Sequence, residues 1–109
     1  MVGQRADRRA VRRARLAYYD QTERKYHEIE LDEPLEIVSL MGTISLRDGA
    51  LALHAHAVFG GRDGRTYGGH VLPGCGIYAC ELFVVELAGR TLERVHDEGT
   101  GLPLWRDLQ

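Results

Sequence analysis

Of the five histidines in the chain, three fall where their imidazoles could share one ligand. His54 and His56 stand two positions apart in Leu53-His54-Ala55-His56-Ala57, so on an extended strand both rings leave the same face. His70 follows Arg62-Asp63-Gly64, a tripeptide that reads as a three-residue hairpin loop, a type I turn closed by glycine in the left-handed region. In such a hairpin Gly61 pairs with Arg65, and carrying that register outward sets His56 opposite His70. Directly opposed side chains have Cβ atoms ~5 Å apart, which lets the three imidazoles converge. Three neutral nitrogens at ~2.0–2.1 Å from an ion, with a fourth position left to water, make the catalytic type of zinc site rather than the closed structural type. The competing reading makes the same residues polar strand positions facing water or a subunit interface. A register shorter by one residue would send His70 to the far face.

Other reactive residues carry weaker signals. His27 and His96 lie in the acidic, polar contexts Tyr26-His27-Glu28 and His96-Asp97-Glu98 and read as surface residues. Glu81 opens an apolar run and is a candidate to brace a ligand histidine or act as general base; pairing with an arginine, or an exposed edge, is the alternative. Cys75 and Cys80 are five apart, unlike a zinc or redox pair, and read as free thiols. The run Gly60-Gly61-Arg62-Asp63-Gly64 lacks the Lys-Ser/Thr ending of a phosphate loop and reads as a hairpin tip. No Ser-His-Asp or Cys-His arrangement stands out, and no strand-borne aromatic pair suited to stacking single-stranded bases.

The elements that must position these residues are mostly strands. Apolar periodicity is two along 16–20, 25–31, 35–47, 51–59, 66–72 and 77–88, with a further short strand over 91–95. Gln21-Thr22-Glu23-Arg24 and Asp48-Gly49 supply turns. In the strand 51–59, Leu51, Leu53, Ala55, Ala57 and Phe59 face the side opposite His54 and His56. Residues 4–17 alone read as helical, without a clean apolar stripe.

A chain of 109 residues with 44% apolar and 28% charged residues suits one domain with its own core. The longest apolar stretches are strand-sized, short of the ~18 residues a spanning helix needs. No apolar leader core follows the start, so a cytoplasmic, reducing compartment is expected. The formal net charge of −2 is unevenly distributed. Residues 1–15 hold Arg5, Arg8, Arg9, Arg12, Arg13 and Arg15 against Asp7, whereas the remainder holds 8 basic and 15 acidic side chains. Residues 1–15 therefore read as a basic arm and 16–109 as the domain. Such an arm can contact phosphates without reading sequence, although an acidic body repels a duplex.

The segments LEIVSLMGTISL (35–46), LHAHAVFGGRDGRTYGGHVLPGC (53–75), ELFVVEL (81–87) and DEGTGLPLW (97–105) resemble the plants-and-prokaryotes conserved domain, also found in plant AT-hook nuclear-localised proteins. The resemblance covers about three quarters of the chain, from Pro34 to Leu108. It implies an α+β module built mainly on an antiparallel sheet, assembled as a homotrimer. It also implies a zinc site, carried over onto His54, His56 and His70. The fold is similar to that of acetolactate decarboxylase, an enzyme with a three-histidine zinc site, which is analogy at the level of fold alone. The strand and helix that open family members have no counterpart ahead of ARLAYYD, so the domain is expected to lack them. The Arg-Gly-Arg-Pro core of an AT-hook is also absent. Three functions compete on this reading: a trimeric, DNA-associated regulatory or interaction module; a small metal-dependent lyase or hydrolase acting on a carbonyl compound; and a structural trimer, metal-free or with an inert ion.

Overall fold

Three tight turns set the antiparallel ladders, in a computed structural model that describes residues 10–106. The first joins β1 (Ala10–Asp20) to β2 (Lys25–Leu31). There Asp20 Oδ1 accepts the backbone N–H groups of Thr22 at 2.8 Å and Glu23 at 3.0 Å, which pins the turn. The second joins β3 (Leu35–Arg47) to β4 (Ala50–Gly60) through Asp48 and Gly49, both at positive φ (53° and 78°) as a two-residue primed turn requires. The third joins β4 to β5 (Thr66–Val71). Its Gly61 N–H donates to Arg65 O at 2.7 Å, and Gly64 sits at φ 85°. This is the expected three-residue loop, and the expected register follows from it: Gly60 pairs with Thr66 and His56 with His70.

Three short strands complete the sheet: β6 (Gly76–Ala79), β7 (Glu93–His96) and β8 (Pro103–Trp105). The order is β2-β1-β5-β4-β3-β7-β8, with β6 alongside β1. Every pairing is antiparallel except β3 with β7. β1 meets β5 near its middle, at Leu16 and Ala17, and β3 at its start, at Ala10 and Val11. The pairings β1-β5-β4-β3 thus form a closed circuit, and the sheet curls around a small core. That core consists of Val11, Ala14, Leu16 and Ala17 from β1, Leu35 from β3, and Ala55, Ala57 and Phe59 from β4.

The structure corrects the sequence reading at several places. The α+β class does not hold, because the described residues contain no helix. The part of the expected helix 4–17 that is described, from Ala10 on, lies in β1. Ala and Arg favour helix locally, but pairing with β2, β3, β5 and β6, together with burial of Val11, Ala14 and Leu16, overrides that preference. The strand expected over 77–88 ends at Ala79. Residues 80–88 belong to no ladder and expose Phe83 (92%) and Leu87 (87%). The strand expected over 91–95 lies at Glu93–His96, and β8 had no counterpart in the sequence reading. On β4 the apolar face is buried only from Ala55 onward, since Leu51 and Leu53 are exposed.

Candidate metal centre

The β4–β5 hairpin gathers the three histidines. His54 and His56 leave one face of β4, and His70 is the direct cross-strand partner of His56. The ring centroids form a nearly equilateral triangle, 5.1 Å for His54–His56 and 5.3 Å for each of the other two pairs. One ligand nitrogen from each ring lies within 4.8 Å of the other two. Three nitrogens around one tetrahedral ion sit roughly 3.3 Å apart, given bond lengths of ~2.0–2.1 Å. Small side-chain rotations therefore bring the three nitrogens to the spacing of a shared ion.

Backbone packing makes room for this triangle. A Cβ on Gly69 would lie 2.9 Å from the carbonyl oxygen of Ala17 and 3.4 Å from Leu16 Cβ. Only a residue without a side chain lets β5 approach β1 this closely, and that approach fixes the Ala17–His70 pair beside the site.

Burial and neighbouring charges disfavour protonation of two of the three rings. Burial lowers the pKa of His54, and the charges of Arg94 and His56 add to the effect. Burial also lowers that of His70, with His54 and His56 adding to it. A neutral imidazole keeps the lone pair that a metal needs. The Tyr26 ring lies 5.4 Å from that of His70 and edge-on to Tyr19 at 4.9 Å. Burial pushes the Tyr26 hydroxyl pKa up, Tyr19 adds to the shift and Arg47 opposes it. On the other flank, Arg94 of β7 places Nη2 3.2 Å from His54 Nδ1 and 3.3 Å from Thr43 Oγ1. Its Nη1 donates to Pro103 O at 3.1 Å, and its guanidinium lies 4.9 Å from the centre of the Trp105 ring.

Sequence reasoning found neither Arg94 nor Tyr26. Both reach the site through pairings, β7 with β3 and β2 with β1, that no local motif marks. Glu81 is exposed on the segment that leaves the sheet after β6. Arg5, Arg8 and Arg9 lie outside the described residues. Arg12 and Arg13 are exposed on β1, with Arg12 over the Tyr78 ring at 5.9 Å. Arg15 is half-buried and held by Glu28 at 2.8 Å and Glu30 at 3.2 Å, pairings that raise its pKa. Cys75 and Cys80 are free, as expected. His96 is exposed, 3.5 Å from Glu98. His27 is also exposed but joins Asp20 and Glu23 in a second group, each 3.6 Å from its Nε2. That group is already engaged, because Asp20 holds the turn and Glu23 pairs with Lys25 at 3.0 Å.

Residues 10–88 match the Plants and Prokaryotes Conserved (PCC) domain. The chain belongs to this family. The solved structure of a metal-containing protein from Archaeoglobus fulgidus is 46% identical, with a TM-score of 0.85 over 91% of this chain and 69% of that one. A plant- and prokaryote-conserved protein from Pyrococcus horikoshii is 31% identical, with a TM-score of 0.81 over 92% of this chain and 71% of that one. A candidate DNA-binding protein from Ralstonia eutropha shares the fold at 21% identity, with a TM-score of 0.74 over 88% of this chain and 68% of that one. The bifunctional protein GlmU of Synechococcus is 36% identical over 93 residues, which is 84% of this chain and 14% of that protein. The chain thus spans about one seventh of the length of this curated relative. Arg94 lies beyond the segment that matches the family.

Proposed function

We propose that this PCC-family chain is a metal-binding module in which His54, His56 and His70 hold one divalent ion with an open coordination position. Zinc is the ion that best suits three neutral imidazoles in tetrahedral geometry. The observation that carries this reading is the register, which pairs His56 with His70 and sets His54 on the same face. The metal-containing relative from Archaeoglobus supports it. Replacing His56 by Ala should abolish most of the zinc content of purified protein, whereas His27→Ala should leave it intact. Equal zinc in the His56 variant and the parent overturns the proposal.

The module is proposed to work as a homotrimer associated with DNA, in a regulatory or interaction role. Self-association is supported by exposed apolar side chains along β3, β4 and residues 80–88, among them Met41 (78%) and Leu51 (80%). A monomer in sedimentation at micromolar concentration contradicts it. Contact with DNA is assigned to the basic residues 1–15, in particular Arg5, Arg8, Arg9, Arg12 and Arg13, since the remainder of the chain is net acidic. Arg15, engaged by two carboxylates, is the weakest candidate for a phosphate contact. A second reading, a metal-dependent lyase or hydrolase acting on a small carbonyl compound, is favoured by Tyr26 and Arg94 flanking the three imidazoles.

A further inference from the structure

Arg94 and a metal ion cannot both be satisfied by His54. A guanidinium has donors and no acceptor, so the 3.2 Å contact of Arg94 Nη2 with His54 Nδ1 places an N–H against the Nδ1 lone pair. A neutral imidazole has one lone pair on its two nitrogens, so the proton of His54 then resides on Nε2. In that state neither nitrogen is available to an ion. Loading the three-histidine site therefore requires the Arg94 tip to leave His54. The rest of the guanidinium stays anchored by Pro103 O and the Trp105 ring, so it remains beside the ion.

The charge balance indicates what the released tip would meet. Arg94 lies directly beside Arg47 in the parallel β3–β7 ladder. Neither arginine forms an ion pair with a carboxylate among the described residues, and the Arg94 Nε is buried without a hydrogen-bond partner. Like charges side by side on adjacent strands repel, and a divalent ion next to them adds to the excess positive charge. An oxyanion that ligates the metal at its open position and accepts hydrogen bonds from Arg94 relieves both.

Resting on the metal reading above, we infer that Arg94 exchanges partners when the site is loaded, giving up His54 and binding an anionic oxygen ligand, a carboxylate or phosphate group, against the metal. The planar fork of arginine suits both groups. Arg94 is thus a specificity-determining residue: it weakens metal binding while the anion is absent and strengthens anion binding once the metal is present.

The test uses the full chain stripped of metal and titrated with cobalt(II), whose visible absorption reports coordination, followed by acetate or inorganic phosphate in separate titrations. Arg94→Met should bind cobalt about tenfold more tightly than the parent, the equivalent of one competing charge-assisted hydrogen bond. The cobalt-loaded variant should bind acetate or phosphate about tenfold more weakly. Arg94→Lys, which keeps a cation but loses the fork, should shift both affinities in the same directions by less, and it carries the test if the methionine variant does not fold. A preference for acetate over phosphate, or the reverse, identifies the source of the oxyanion. Unchanged cobalt affinity in the variants overturns the competition for His54, and unchanged anion affinity overturns the ligand class. If neither parent nor variant takes up cobalt, the metal reading itself fails and this inference falls with it; cobalt uptake by the variant alone supports the competition.

Discussion

Adding one methyl group at Gly69 should damage the fold and the candidate metal centre together. A Cβ there would lie 2.9 Å from the backbone carbonyl oxygen of Ala17, closer than real Cβ atoms approach such a group. The obstacle is backbone in the middle of β1, so relief must come from opening the β1–β5 pairing at Leu16–Val71 and Ala17–His70. Overpacking of this kind costs about 1–3 kcal/mol. Replacing glycine also narrows the unfolded ensemble, which returns about 0.4–1 kcal/mol. The net loss is then roughly 1–2 kcal/mol, or about 4–15 °C in Tm for a domain near 100 residues. Thermal unfolding followed by circular dichroism at one fixed protein concentration measures this, with and without excess zinc. The zinc-dependent rise in Tm should shrink in Gly69→Ala, because His70 shifts with its strand. Gly60→Ala is the control: its nearest neighbour is the Val38 Cγ2 methyl at 3.1 Å, a side-chain atom of an exposed residue that has to give by a few tenths of an ångström, not backbone. A Gly69→Ala protein as stable as the parent would show that β5 does not pack on β1 as closely as described.

Metal-free protein should lose stability as pH falls below about 6.5, the ordinary histidine value that His54 and His70 recover on unfolding. Their folded pKa values are lowered, so the unfolded chain binds protons first; the stabilisation is present above that pH and is lost as pH falls through the folded values. Urea midpoints between pH 5 and 8 follow this, and His54→Gln should flatten the curve. Binding to a short duplex should weaken steeply with salt and barely depend on sequence. A chain beginning at Ala10, which keeps β1 whole, should bind more weakly than the full chain at low salt, and equal affinity excludes residues 1–9 as a contact.

Local chemistry made the hairpins readable. Asp48-Gly49 and Arg62-Asp63-Gly64 each admit few backbone geometries, and a fixed turn sets the register outward from it, along the whole β4–β5 pair and as far as the irregularity between Ile37 and Ser39 in the β3–β4 pair. The position of His70 opposite His56 is a direct product of that rule. The first half of β1 reads as helix because its alanines and arginines suit one, while the partners that make it a strand lie up to 69 residues away, at Ala79; the second half, 16–20, reads correctly as strand. The segment 80–88 has the two-sided apolar pattern of a buried strand, yet pattern alone cannot say what covers it. Arg94 was hidden for a similar reason. It reaches His54 only because a short strand runs parallel to the end of β3, and parallel pairing leaves no turn signature in the sequence.

The position of β1 also has a consequence for biosynthesis. Its hairpin with β2 is complete in sequence by Leu31, but the partners β5 and β6 end at Val71 and Ala79. At ~5–20 residues per second, a ribosome needs roughly 2–8 s to make the intervening forty residues or so. During that interval the edge of β1 at Leu16 and Ala17 lacks its partner and is open to pairing with another nascent strand. Arg12 and Arg13, exposed on β1, interrupt the apolar run of that strand, and charges at such positions oppose association between like chains.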